Sequence, residues 1–111
     1  MRRKRGQPAY SLDVVKQLIK DGRCQFTRRG RKFVQNHYHF DYQEICSELF
    51  ERISESDFYK SEELRVIPGV FADIYIGMRY DDTDWYVKFY VDECGEATVT
   101  VMTMCWDGAD H

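Results

Sequence analysis

The chain has 111 residues, 43% hydrophobic and 15% aromatic, with a formal net charge of -3. That is enough for one folded domain with a modest core, and too ordered in composition for a disordered tail. No apolar run approaches the roughly 20 residues of a membrane span, and no hydrophobic leader follows the basic start, so a cytoplasmic protein is expected. Charge is unevenly spread: Arg2, Arg3, Lys4 and Arg5 belong to the 16 basic residues, leaving 12 against 19 acids, a balance of -7. An acidic body excludes a broadly basic nucleic-acid surface. Any RNA site must then be a local patch, DNA binding by the chain alone is not expected, and the acidic remainder suits a basic partner.

Residues 1–9, ending near Pro8, read as a flexible basic arm. Ser11 then caps a helix through about Asp21, with Leu12, Val15, Leu18 and Ile19 on one face and Gly22 placed to stop it. Arg23–Thr27 is short enough for a small strand. Arg28, Arg29, Arg31 and Lys32 form the densest internal basic cluster, leading into a short helix at Phe33 and Val34. The cluster can follow a phosphate backbone, or it can be a solvated loop.

His37–Phe40 reads as a connector. Asp41 opens the best helix, with Glu44 three residues on in a capping-box arrangement. Tyr42, Ile45, Cys46, Leu49, Phe50 and Ile53 share one helical face, the spacing of a core stripe. Cys46 is therefore packing, not a nucleophile. The four cysteines (Cys24, Cys46, Cys94 and Cys105) show no C-x-x-C spacing and read as reduced thiols. His37 and His39 form an H-x-H pair that carries little by itself, and no metal or other cofactor is expected.

Ser54–Ser61, Ser-Glu-Ser-Asp-Phe-Tyr-Lys-Ser, reads as a short helical turn capped by Ser54 or Ser56, with Phe58 as its anchor. Tyr59 and Lys60 are left at the rim. Leu64–Ile67 reads as a short extended piece ended by Pro68-Gly69. Val70–Tyr80 then alternates, with Val70, Ala72, Ile74, Ile76 and Met78 expected on the buried side and Asp73, Tyr75 and Arg79 on the other. Asp81–Asp84 is a turn. Trp85–Val91 alternates again, placing Trp85, Val87, Phe89 and Val91 opposite Tyr86, Lys88 and Tyr90. Cys94-Gly95-Glu96 turns the chain into a last strand, Ala97–Trp106, and residues 107–111 form a tail. Helices first and a meander last read as α+β, with N-terminal helices packed on a C-terminal antiparallel sheet whose other face is open.

On that open face Tyr75, Arg79, Tyr86, Lys88 and Tyr90 are expected to cluster, with Tyr59 and Lys60 at the edge. Aromatics stack on bases and cations neutralise phosphates, which suits single-stranded RNA. The same side chains could equally be cross-strand pairs that stabilise an exposed face. RNA carries its own nucleophile, the 2′-hydroxyl. A ribonuclease therefore needs only a base, a cation for the phosphorane and an acid for the leaving 5′-oxygen. Tyr86 and Lys60 could move protons if their pKa values are depressed, and Lys88 or Arg79 could hold the phosphate.

Ser-Asp-Phe-Tyr-Lys-Ser after an amphipathic helix, followed by Ala72-Asp73-Ile74-Tyr75, resembles the MqsR-type toxins of bacterial type II toxin–antitoxin systems. Leu12, Val15, Lys16, Leu18, Ile19 and Gly22 match the opening helix, and Tyr86-Val87-Lys88 matches a later strand. The likeness runs from about Tyr10 to Cys105. It implies a RelE-like fold for a single domain over 10–106, ribosome-independent cleavage of messenger RNA without a metal, and an antitoxin as controlling partner. DNA would then be met only through that antitoxin. The resemblance places the family's lysine on Lys60 and its strand tyrosine on Tyr86. It departs at Ala72, where a polar amide is expected, and near Cys105 and Trp106, where a basic residue is expected. Phosphate contacts would fall to Lys88 and Arg79, and further RNA contacts to Tyr59, Tyr75, Tyr90, Arg28, Arg29 and Arg31. The competing reading is a toxin-like domain without catalysis that binds RNA or protein.

Overall fold

The computed structural model describes residues 4–38 and 41–109. Arg2, Arg3, His39, Phe40 and the end of the expected tail, residues 110 and 111, lie outside the described residues. Helices α1 (Leu12–Lys20), α2 (Arg28–His37) and α3 (Tyr42–Arg52) pack on one six-stranded sheet. The strands are β1 (Lys4–Arg5), β2 (Cys24–Phe26), β3 (Phe58–Glu63), β4 (Phe71–Ile76), β5 (Trp85–Asp92) and β6 (Thr98–Trp106), in the order β1-β3-β4-β5-β6-β2. Every pairing is antiparallel except β2 with β6. The architecture is α+β.

Local chemistry explains the helices. The Ser11 hydroxyl accepts from Val14 N–H, Thr27 from Gly30 N–H and the Asp41 carboxylate from Gln43 N–H, so each helix begins at a side-chain cap. α1 buries Leu12, Val15 and Ile19, and α3 buries Ile45, Cys46, Leu49 and Phe50, against Trp85, Val87, Phe89, Val99, Val101 and Met104 of the sheet. Tyr80-Asp81-Asp82-Thr83 closes the β4–β5 connection. Asp81 and Asp82 both have positive φ, 55° and 57°, the geometry of a two-residue turn matched to strand twist.

Three expectations are corrected. Lys4 and Arg5 pair with Glu62 and Ser61 instead of opening a free arm. The turn after α3 ends at Asp57, whose carboxylate accepts from Ser54 N–H at 2.8 Å, and Phe58–Glu63 is a strand. Tyr59 and Lys60 thereby join the sheet. Residues 64–67 are not a strand. Leu64 N–H donates to Val70 O, and Val70 N–H returns to Ile67 O, so residues 65–69 form the loop between β3 and β4.

The fourth correction is the most consequential. The two sides of β4 are reversed from the expected alternation. Directly opposed residues share a face. Tyr75 opposes Val87 and Asp73 opposes Phe89, while Ile74 opposes Lys88. The unambiguous apolar side of β5 sets the helix-covered face, and register carries Tyr75 and Asp73 onto it. Ala72, Ile74 and Ile76 go to the other face. Tyr75 is 1% exposed, stacked on Phe89 at 5.9 Å and edge-on to Phe58 at 5.5 Å. Buried Asp73 is satisfied by Ala9 N–H at 2.9 and 3.0 Å and by Tyr10 N–H at 3.1 Å, which fastens the segment ahead of α1 to the sheet.

Candidate functional site

Pairing across four strands assembles the open face. Lys60 opposes Ile74, Ile74 opposes Lys88, and Lys88 opposes Thr103, making one row across β3, β4, β5 and β6. In the next row Ile76 opposes Tyr86, and Tyr86 opposes Cys105. A shift of pairing between Phe58 and Lys60 in β3 leaves Tyr59 59% exposed beside this surface, with Lys60 Nζ 5.3 Å from its ring centroid. The apolar floor, Ala72 and Ile74, is fully buried although no helix stripe of the core includes it. Long side chains with apolar stems, such as those of Lys60 and Lys88, can cover such a floor and keep their charged ends outward.

Glu62 organises the row. Lys88 Nζ donates to Glu62 Oε1 at 3.1 Å, and Lys60 Nζ lies 3.3 Å from Glu62 Oε2. Side-chain exposures of 11% for Glu62 and 17% for Lys88 make this a largely desolvated arrangement of two ammoniums and one carboxylate. Burial pushes the Glu62 carboxyl up, but the Lys88 and Lys60 ammoniums outweigh it and hold its pKa below the ordinary value. Sequence reading passed over Glu62. It stands two positions after Lys60, but the reading of Ser54–Ser61 as a turn separated the two, so the i, i+2 spacing of one strand carried no meaning.

Tyr86 stands beside this trio. Burial first, then the Glu62 carboxylate, push its phenol up to about 12, while Arg29 pulls the other way. The condition set for Tyr86 as a base, a depressed pKa, is thus reversed: at neutral pH the phenol keeps its proton and can only donate. Cys105 is likewise pushed up to about 11 by burial, then by Asp107, against Arg29, so it is a thiol and not a thiolate nucleophile.

The remaining expected residues are placed as follows. Tyr75 does not reach the open face, being in the core. Arg79 lies past the end of β4 at the hairpin turn, where Nη2 donates to Asp82 O at 2.9 Å and Nη1 lies 3.6 Å from Asp84. The structure does not bring it into the Lys60–Lys88 row. Tyr90 opposes Thr100 farther along β5. Arg28, Arg29 and Arg31 lie in the first turns of α2, not in a loop, with Arg28 and Arg29 exposed. Arg29 is the one that borders the site. Together with Lys32, Asn36 and His37 it lines a cleft of about 360 Å³ against Thr103, Met104 and Cys105. Among the described residues no group of three or more His, Cys, Asp and Glu could hold a metal ion, and His39, one of the H-x-H pair, lies outside them.

An α+β fold with helices packed against one face of a mixed, largely antiparallel sheet is consistent with a RelE- or MqsR-like architecture. A family model described as "Motility quorum-sensing regulator, toxin of MqsA" matches residues 7–103. The chain belongs to this MqsR toxin family, and membership suggests a toxin role with a cognate antitoxin. No curated protein matches the chain. No helix among the described residues is long and apolar enough to cross a membrane.

Proposed function

We propose that the protein is the toxin of a type II toxin–antitoxin system, a ribosome-independent endoribonuclease that cleaves single-stranded messenger RNA and so inhibits translation and growth. The observation that carries this reading is the Lys60–Glu62–Lys88 trio beside a phenol that keeps its proton. In this reading the scissile phosphate displaces the lysines from Glu62 and takes both ammoniums, which neutralise the phosphorane without a metal. Glu62, left in a desolvated site without its cations, regains basicity and takes the 2′-hydroxyl proton. The 2′-oxygen bonds to phosphorus, the bond from phosphorus to the 5′-oxygen breaks, and Tyr86 protonates the departing oxygen. The products are a 2′,3′-cyclic phosphate and a 5′-hydroxyl. Tyr59, exposed next to Lys60, offers a stacking surface for a neighbouring base.

A second reading has a specific observation behind it. Glu62 already occupies both lysines, and Ala72 supplies no polar group to the floor, so the face could bind RNA or an antitoxin without cutting. Incubating a defined messenger RNA with purified protein in EDTA separates the two. The enzyme reading expects recurring cuts with cyclic-phosphate ends, lost in Lys60→Ala and Tyr86→Phe. Glu62→Gln is expected to lower the cleavage rate while leaving RNA affinity equal or higher. Folded wild-type protein that binds RNA and leaves it intact would establish the second reading.

A further inference from the structure

Helix α2 stands where β2 stops. β2 pairs with β6 only over Val99–Val101. Beyond it Thr27 N–H donates to Val101 O at 3.0 Å, and the backbone of Gly30 lies so close that a β-carbon there would sit 2.1 Å from that same oxygen. Only glycine permits this approach. One side of α2 enters the core through Val34, and Phe33 packs edge-on against Trp106 at 4.8 Å. The positions Arg29, Lys32 and Asn36, three and four apart, are one face of the helix and look across to the outer end of β6.

That face is cationic against local preference. α2 has no acid in its first turn, and Arg28, Arg29, Arg31 and Lys32 crowd the helix end where the macrodipole disfavours positive charge. Five cations elsewhere have carboxylate partners: Arg23 meets Glu96, Arg52 meets Glu48, Arg79 meets Asp84, and Lys60 and Lys88 meet Glu62, whereas Lys16, Lys20 and Arg65 have none among the described residues. Among the described residues neither Arg29 nor Lys32 is ion-paired. No carboxylate lines the 360 Å³ cleft they enclose, whose size is at the small end of ligand sites. Its strand wall is Thr103 and Cys105, the cross-strand neighbours of Lys88 and Tyr86. The cleft therefore lies one strand away from the proposed reaction row.

We propose that this cleft between α2 and β6 is a subsite for one nucleotide flanking the cleaved phosphate. Arg29 and Lys32 take that nucleotide's phosphate, and the Asn36 amide reads the base edge. The inference rests on the ribonuclease reading above. Arginine and lysine on a phosphate carry no sequence information, whereas an amide, donor and acceptor together, does. Cleavage preference at one position beside the cut thus belongs to Asn36 and not to the row that does the chemistry.

The test uses the whole chain and a fluorescent single-stranded oligoribonucleotide whose 2′-hydroxyls are methylated to block cutting. Anisotropy gives affinity against KCl concentration. Arg29→Ala is expected to weaken binding and to reduce the slope of log K against log salt by about 0.7, one phosphate contact on a single strand. Arg29→Lys should restore the slope, and Arg23→Ala, which lies outside the cleft, should leave it unchanged. With unmodified RNA, Asn36→Ala is expected to lose base preference at one position beside the cut, whereas Arg23→Ala, outside the cleft, should keep it. Wild-type protein that binds and cuts, with slope and cut-site profile unmoved by Arg29→Ala and Asn36→Ala, would overturn the subsite and leave the ribonuclease standing. Wild-type protein that neither binds nor cuts would overturn both.

Discussion

The two faces of the sheet are built from the same strands and obey opposite rules. On the helix-covered face Asp73 accepts from two backbone N–H groups and Tyr75 is wedged between Phe58 and Phe89, while the Ser61 hydroxyl, opposite Asp73, is buried with no hydrogen-bond partner among the described residues. On the open face the floor is apolar, and charge is concentrated above it in Lys60, Glu62 and Lys88. One face uses packing to hold the domain together. The other uses it to keep three charges close in a place where water screens them poorly, which makes each more responsive to an incoming phosphate.

The comparison breaks first, and hardest, on the buried side. Phe89→Ala removes a ring stacked on Tyr75 and edge-on to Phe50. It should cost about 3–5 kcal/mol in urea denaturation. Lys88→Met tests the opposite face. Its circular dichroism spectrum should remain that of the folded domain while RNA cleavage falls about 10²–10³-fold, the usual loss when one charge-stabilising donor is removed. Equal cleavage by folded Lys88→Met protein would remove the lysine row from the mechanism.

Glu62→Gln sharpens the contrast through pH. The folded carboxyl has a depressed pKa, so its contribution to stability is present above the unfolded value near 4.5 and disappears as pH falls through the folded value. Melting temperatures of wild type and Glu62→Gln should differ at pH 7 and converge once pH falls below the depressed folded value. A gap that persisted there would mean that Glu62 acts by shape and not by charge. The smallest effect belongs to Tyr75→Phe. Since Tyr75 is inside, cleavage should be unchanged and stability altered by about 1 kcal/mol or less. A large loss of cleavage with stability intact would return this tyrosine to the site.

Much of the fold was legible because helix periodicity and caps are local. Ser11, Asp41 and the stripe from Ile45 to Ile53 announce α1 and α3 without reference to the rest of the chain. Strict alternation in β5 put Tyr86 and Lys88 on one face, and strand pairing sets Lys60 in the row of Lys88. Glu62 was not found, because the turn read over Ser54–Ser61 cut it off from Lys60, and Phe58–Glu63 becomes one strand only by pairing with β4 and β1.

Tyr75 was misplaced for a related reason: β4 is buried on both sides and Asp73 makes the inward side look polar, so alternation alone selects Ala72, Ile74 and Ile76 for the core. The sequence by itself determined α1 and α3, the faces of β5 and the family to which the chain belongs. Tertiary structure alone decided which face of β4 turns inward, that Glu62 joins two lysines, and that Arg29 comes to the outer end of β6. The physical reason is range. Caps and periodicities act within a few residues, whereas strand register and the approach of Gly30 to Val101 join positions tens of residues apart, and no local pattern encodes a distant partner.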